Sequence, residues 1–240
     1  MKLLIIRHAD PDYKNNTLTE TGWEEAALLA QRLSGVNISA FYCSPMGRAK
    51  DTASLTLKAK NAEAEILPWL REVWVSINRP DRGKSPPFDW MPKDWTTCPQ
   101  FYSLDRWLEH PVFEENQMVE LVTTVYNGID GLLARHGYAR ENNLYRAVAP
   151  NEDTIVIFSH FGLECLILSR ILGISPMVLW HSTCALTSSI TTLVTEERQE
   201  GIACFRMIGF SDVSHLIANN LHPSDAGRYC EMYANMHQRH

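Results

Sequence analysis

Apolar positions along the chain fall into short runs that end abruptly in polar groups. Leu3, Leu4, Ile5 and Ile6 run without a break into Arg7-His8, and Thr154, Ile155, Val156, Ile157 and Phe158 run into Ser159-His160. Unbroken runs of this length predict strands buried on both faces, as in parallel sheets covered by helices. A third run, Ala40 to Cys43, ends at Ser44-Pro45, and a weaker one at Ala64, Ile66 and Leu67 ends before Pro68. Between the strands the period changes to that of a helix. Ala26, Ala27, Leu29, Ala30 and Leu33 lie near one helical face behind a capping box at Thr21-Gly22-Trp23-Glu24, and Ser34-Gly35 stops it. A second helix is predicted after Ser44 as N-cap and Pro45 in its first turn, with Arg48 in that turn as well.

Farther on, Val119, Val122, Val125, Ile129, Leu132 and Leu133 mark a long amphipathic helix ending near His136-Gly137. Another helix should span about 162–172 and stop at Gly173. Apolar runs near 185–194 and 202–208 predict closing strands, and the last residues a helix and a loose end. Strands alternating with helices place the chain in the α/β class: a three-layer sandwich, with a largely parallel central sheet and helices on both faces. The segment from about 75 to 111 breaks this rhythm with Pro80, Pro86, Pro87, Pro92 and Pro99 among Trp90, Trp95, Trp107, Phe88, Phe101 and Tyr102. It reads equally as a lid over a site and as a satellite aromatic cluster. The expected organisation is a single domain over 1–240 carrying this lid-like insert.

Composition narrows the function classes. With 28 acidic and 22 basic side chains and no Lys/Arg block, neither a nucleic acid nor an anionic membrane is an expected partner. Four apolar residues before Arg7 are too few for a signal-peptide core, and no stretch reaches transmembrane length. Six cysteines without a C-x-x-C pair fit a reducing compartment, so a cytoplasmic protein is expected.

The candidate chemistry lies at the strand ends. Arg7 and His8 follow the first strand, Arg48 the second, and His160 the later one, all at one edge of the expected sheet, where open α/β sheets bind ligands. Two guanidinium groups match a phosphate dianion in charge and geometry. A neutral imidazole is a nucleophile toward phosphorus, and a second histidine can stabilise the transferring oxygens. Arg79, Arg82 and Lys84 form a local basic cluster in the insert. They are candidates for contact with a second anionic group, against the plainer reading of three solvated charges.

Arg7-His8-Ala9, Leu18-Thr19-x-x-Gly22, Ser44-Pro45-x-x-Arg48-Ala49-x-x-Thr52-Ala53, Leu70-x-Glu72 and Ser159-His160-x-Gly162 together resemble the histidine phosphatase superfamily, which holds the cofactor-dependent phosphoglycerate mutases and many small-molecule phosphatases. The resemblance implies that His8 becomes transiently phosphorylated, that Arg7, Arg48 and His160 complete the phosphate pocket, and that Glu72 protonates the leaving group. Glu164, Asp10 and Asp12 are rival acids by position. No metal and no organic cofactor are implied. The family's glycine after the Arg-His pair is Ala9 here, and Phe161 follows the second histidine. Mutases of the family carry Tyr-Gly shortly after their acid, where this chain reads Val73-Trp74-Val75, which favours a phosphatase of a small phosphorylated metabolite. A mutase and a non-catalytic phospholigand-binding protein are the alternatives.

Overall fold

In a computed structural model, which describes residues 1–114 and 117–239, an eight-stranded mixed sheet forms the centre. Its strands are β1 (Lys2–Arg7), β2 (Ala40–Cys43), β3 (Glu65–Ile66), β4 (Tyr138–Glu141), β5 (Leu144–Ala147), β6 (Thr154–Ser159), β7 (Ile190–Gln199) and β8 (Ile202–Asp212). Their order is β3-β2-β6-β1-β7-β8-β5-β4. The half from β3 to β1 is parallel, and β7 onward is antiparallel. Side chains alternate across the sheet. Leu3, Ile5, Ile155 and Ile157 face a core shared with α3 (Met118–Arg135) and α4 (Phe161–Leu172), while Leu4, Ile6, Val156 and Phe158 face α1 (Glu20–Leu33) and α2 (Gly47–Lys60). Burying each such aliphatic side chain contributes roughly 1.5–3 kcal/mol, which is why strands with no polar face sit at the sheet's centre.

Two helix starts differ from expectation. α1 begins two residues earlier than the capping box predicts: Thr19, not Thr21, is the N-cap, and its hydroxyl oxygen accepts from the Gly22 amide. The choice is tertiary, because Thr19 also donates its hydroxyl to Asp10 at 2.6 Å and its amide to the Asp10 carbonyl. Gly22 is then required, since a Cβ there would lie 2.2 Å from the Asp10 carbonyl oxygen. Likewise Met46, not Ser44, precedes α2, and Pro45 stays outside the helix. Ser44 is used by the site instead.

The insert is ordered by its own packing. A hairpin pairs Ile77–Arg79 with Gly83–Ser85, and a short helix, Pro92–Thr96, and three single turns follow. Trp90, Trp95, Phe101, Trp107 and Phe113 are buried in the main core. Trp107 meets Trp180 of α5 (Pro176–Ser182) edge to face at 5.7 Å. Most of the aromatic stripe is therefore core, and part of the insert, at Phe88, reaches the candidate site beside Glu72 and Gly162. Among the described residues no helix is long and apolar enough to cross a membrane. The C-terminal residues make one short helix, Ser214–Ile217, and then a segment without regular structure.

Candidate active site

Parallel pairing fixes the heart of the site. Arg7 lies opposite Ser159 in the β1–β6 ladder, so His8 and His160 leave adjacent strands at the same level, with ring centroids 5.2 Å apart. Both are almost fully buried, as are Arg7 and Arg48. The structure thus brings His8, His160, Arg7 and Arg48 together, with Glu72 beside them.

His8 is prepared by its own backbone. Nδ1 lies 2.8 Å from the Ala9 carbonyl oxygen, which requires the proton on Nδ1 and leaves Nε2 with a free lone pair. Burial, then the neighbouring Arg7 and Arg48, hold His8 well below the usual histidine range. It is neutral near pH 7, as a nucleophile must be. The Ala9 amide donates to the Thr52 hydroxyl at 2.9 Å, and Thr52 donates in turn to the Arg48 carbonyl at 2.7 Å. The threonine of the Ser44-to-Ala53 motif therefore ties the turn after His8 to the helix carrying Arg48. Ala9 is not in the left-handed backbone region, so alanine fits where the resemblance implies glycine.

His160 is held by the residue expected to cap α2. The Ser44 hydroxyl lies 2.8 Å from Nε2 and accepts from the Met46 amide, leaving its proton for the ring. That network places the ring proton on Nδ1, a buried donor with no protein partner, available to a phosphoryl oxygen. Burial first, and then His8 and the two arginines, depress its pKa strongly.

The arginines are fixed differently. Arg7 donates to the Ala185 carbonyl and, at 3.0 Å, to the Ala226 carbonyl of the C-terminal segment, while its Nε is buried without a protein partner. Arg48 donates to Asn16 at 3.3 Å, lies over the Tyr13 ring, and also keeps a buried Nε free. Buried donors without acceptors on two guanidinium groups describe a place for an anion.

Glu72 sits at the start of α4. Its Oε1 accepts from the Leu163 amide at 3.0 Å and the Val73 amide at 2.9 Å, and Oε2 from Gly162 at 3.3 Å. Those bonds and Arg48 favour the carboxylate, but burial outweighs them and raises its pKa. A carboxylic acid that keeps its proton longer than usual is suited to general acid work.

The rivals separate. Asp10 is engaged with Thr19, and Asp12 bonds Asn15 on the loop beyond. Glu164 is buried, hydrogen-bonded to Thr191, and pushed up to about 7 chiefly by desolvation, with Arg7 and Glu72 in its field. Arg79 is not free for a ligand: it is buried in an ion pair with Asp81, whereas Arg82 and Lys84 are exposed. Sequence reasoning missed Thr52, Ser44 in its present role, and Ala226. The first two lie in the quoted motif, but a backbone carbonyl arriving from 219 residues away leaves no local signal.

The model of the histidine phosphatase superfamily (branch 1) matches residues 3–79. Phosphoserine phosphatase 1 of Hydrogenobacter thermophilus is 26% identical over 215 residues, covering 84% of this chain and 90% of that protein. A 2,3-bisphosphoglycerate-dependent phosphoglycerate mutase of Thermoplasma acidophilum is 36% identical, but over 70 residues only, 25% of this chain and 35% of that one. Among solved structures, a phosphoserine phosphatase variant from Entamoeba histolytica, in complex with phosphoserine, shares the fold with a TM-score of 0.57 at 19% identity, over 90% of this chain and 98% of that one.

Proposed function

This chain belongs to the histidine phosphatase superfamily, and we propose that it is a phosphatase that hydrolyses a small-molecule phosphate monoester through a phosphohistidine on His8. The observation carrying this reading is the state of His8: neutral, with its proton tied to Ala9 and Nε2 free, between two arginines with unfilled donors. Arg7 and Arg48 match the two charges of the phosphate. His8 Nε2 attacks phosphorus, the bond to the leaving oxygen breaks, and Glu72 gives that oxygen its proton. His160, donating from Nδ1, holds charge on the oxygens of the transferring group. In the second half a water attacks the phosphohistidine, Glu72 takes the water's proton, and phosphate departs with His8 neutral again. No step calls on a metal or an organic cofactor.

A mutase would pass the phosphoryl group to a second hydroxyl instead. Two observations support hydrolysis: the similarity that spans most of the chain is to a phosphatase, and Val73-Trp74-Val75 stands where mutases carry Tyr-Gly. His8→Ala is expected to abolish turnover of p-nitrophenyl phosphate and any acid-labile phosphate labelling of the protein. Retained turnover overturns the mechanism, phosphoglycerate interconversion without phosphate release makes the protein a mutase, and tight phospholigand binding without turnover in the wild type makes it a binding protein.

A further inference from the structure

A buried carboxylate that the mechanism above does not use stands behind His8. Glu25 of α1 has no exposure to solvent, and no ion pair among the described residues includes it. Both of its oxygens face donors. Oε2 accepts from the Asp10 amide at 2.9 Å, and Oε1 from the Thr187 hydroxyl at 2.8 Å and the Ser224 amide at 3.3 Å. The Thr187 oxygen itself accepts from the Ser224 amide at 3.2 Å, which leaves its proton for Glu25. Donors at both oxygens fit the ionised form. Burial raises the Glu25 pKa, and the Thr187, Ser224 and Asp10 donors draw it back.

The Asp10 amide is one end of a peptide unit whose other end is the Ala9 carbonyl, the acceptor of the His8 Nδ1 proton at 2.8 Å. In a trans peptide the N–H and C=O point opposite ways. The unit therefore turns its positive end to the Glu25 carboxylate and its negative end to the imidazole. One turn locates both partners. Ser188, at φ 60° in the left-handed region, donates its amide to the His8 carbonyl at 3.2 Å and its hydroxyl to the Glu25 carbonyl at 3.3 Å. An imidazole that attacks phosphorus gives up a lone pair and becomes a cation, and the same Arg7 and Arg48 that suit a phosphate oppose a charge on His8. A carboxylate behind an imidazole fixes its tautomer and stabilises the cation. Chains of hydrogen bonds in a low dielectric polarise one another, so a peptide between the two can carry that effect.

We propose that Glu25 is a positioning residue for His8: acting through the Ala9–Asp10 peptide, its carboxylate orients the imidazole and offsets the positive charge that the ring acquires as Nε2 bonds to phosphorus. The proposal rests on the reading of His8 as the nucleophile. The Nε2 lone pair makes the new bond, the bond from phosphorus to the leaving oxygen breaks, and Nδ1 keeps its proton on the Ala9 carbonyl throughout. Glu25 neither gives nor takes a proton.

Glu25→Gln keeps the size and an acceptor oxygen and removes the charge. With saturating p-nitrophenyl phosphate, the rate of nitrophenolate release in the first turnover is expected to fall at least about tenfold, while the inhibition constant of inorganic phosphate stays within about twofold, since Arg7 and Arg48 are untouched. In proton NMR with 15N-labelled histidine, the His8 Nδ1 proton is expected to move upfield in the variant, a response that a loss of stability alone would not produce. Glu25→Asp keeps the charge but withdraws it by one carbon from the Asp10 amide. It is expected to slow the first turnover at least about threefold and to move the same proton in the same direction, and it carries the test should the amide variant not fold. A folded variant whose first turnover stays within twofold of wild type, or whose His8 proton does not move, overturns the proposal, and so does a loss of rate matched by an equal loss of phosphate affinity. A protein that hydrolyses no ester while its His8 proton responds as stated keeps the link from Glu25 to His8 and overturns the phosphatase reading. One that hydrolyses the ester through His8 at a rate indifferent to Glu25 does the reverse.

Discussion

Glu72 and Gly162 meet so closely that there is no room for one more carbon between them: a Cβ on Gly162 would lie 2.7 Å from Glu72 Oε1. The glycine lets the acid reach the amides of Gly162 and Leu163 at the helix start. Gly162→Ala must displace the carboxyl or the Phe88 ring, and misplacing a catalytic group by about 1 Å costs on the order of 100-fold in rate. We expect kcat for p-nitrophenyl phosphate to fall between about 10-fold and 100-fold, with a cooperative melting transition retained. A rate within twofold of wild type would show that the carboxyl's position against α4 does not matter.

If Glu72 donates the proton, its worth depends on the leaving group. Nitrophenolate departs readily without help, whereas an alkoxide does not. Glu72→Gln is therefore expected to cost an alkyl phosphate about 100-fold or more, within the range of general acid catalysis, and p-nitrophenyl phosphate much less. Equal losses for the two esters would move Glu72 from proton transfer to a role in binding.

The residues proposed to carry this chemistry were legible because parallel strands advertise themselves. Leu3 to Ile6 and Thr154 to Phe158 are buried on both faces, so their composition is uniformly apolar and their ends are sharp. Where two local signals competed, the sequence was silent. Thr19 and Thr21 each have a plausible partner three residues on, and only the bond from Thr19 to Asp10, made across a turn, decides between them. The β4–β5 hairpin went unseen because it lies at the sheet edge and mixes Ala139, Arg140, Glu141 and Arg146 into its strands. The bond from Arg7 to the Ala226 carbonyl spans the chain from first strand to tail and has no periodicity to betray it.

Arg79 illustrates how a charge that looks available in sequence is spent in structure. Its ion pair with Asp81 has side-chain exposures of 1% and 3%, and its remaining donors hold the backbone of the insert. Removing one partner of a buried pair leaves an uncompensated charge and costs about 3–5 kcal/mol. Arg79→Met is expected to lower the melting temperature by several degrees and to open the 80–90 segment to limited proteolysis, whereas Arg82→Ala, at an exposed position, should leave both readouts unchanged. An Arg79→Met protein as stable and protease-resistant as wild type would show that the insert is shaped by its aromatic packing alone.

Glu164 predicts how stability depends on pH. Its carboxyl ordinarily titrates near 4.5 and is pushed up to about 7 in the folded protein, chiefly by burial. The folded state therefore holds a proton that the unfolded chain has released. Stability from this group is full below 4.5 and is lost as pH rises toward 7 and beyond. The gap between 4.5 and about 7 corresponds to roughly 3 kcal/mol of lost stability above pH 7. Glu164→Gln removes the titration while keeping size and the bond to Thr191. The variant is expected to melt several degrees above wild type at pH 8 and within about a degree of it at pH 4.5. Differential scanning calorimetry at the two pH values checks this. A difference that is the same at both would mean that the amide changes packing rather than relieving a buried charge.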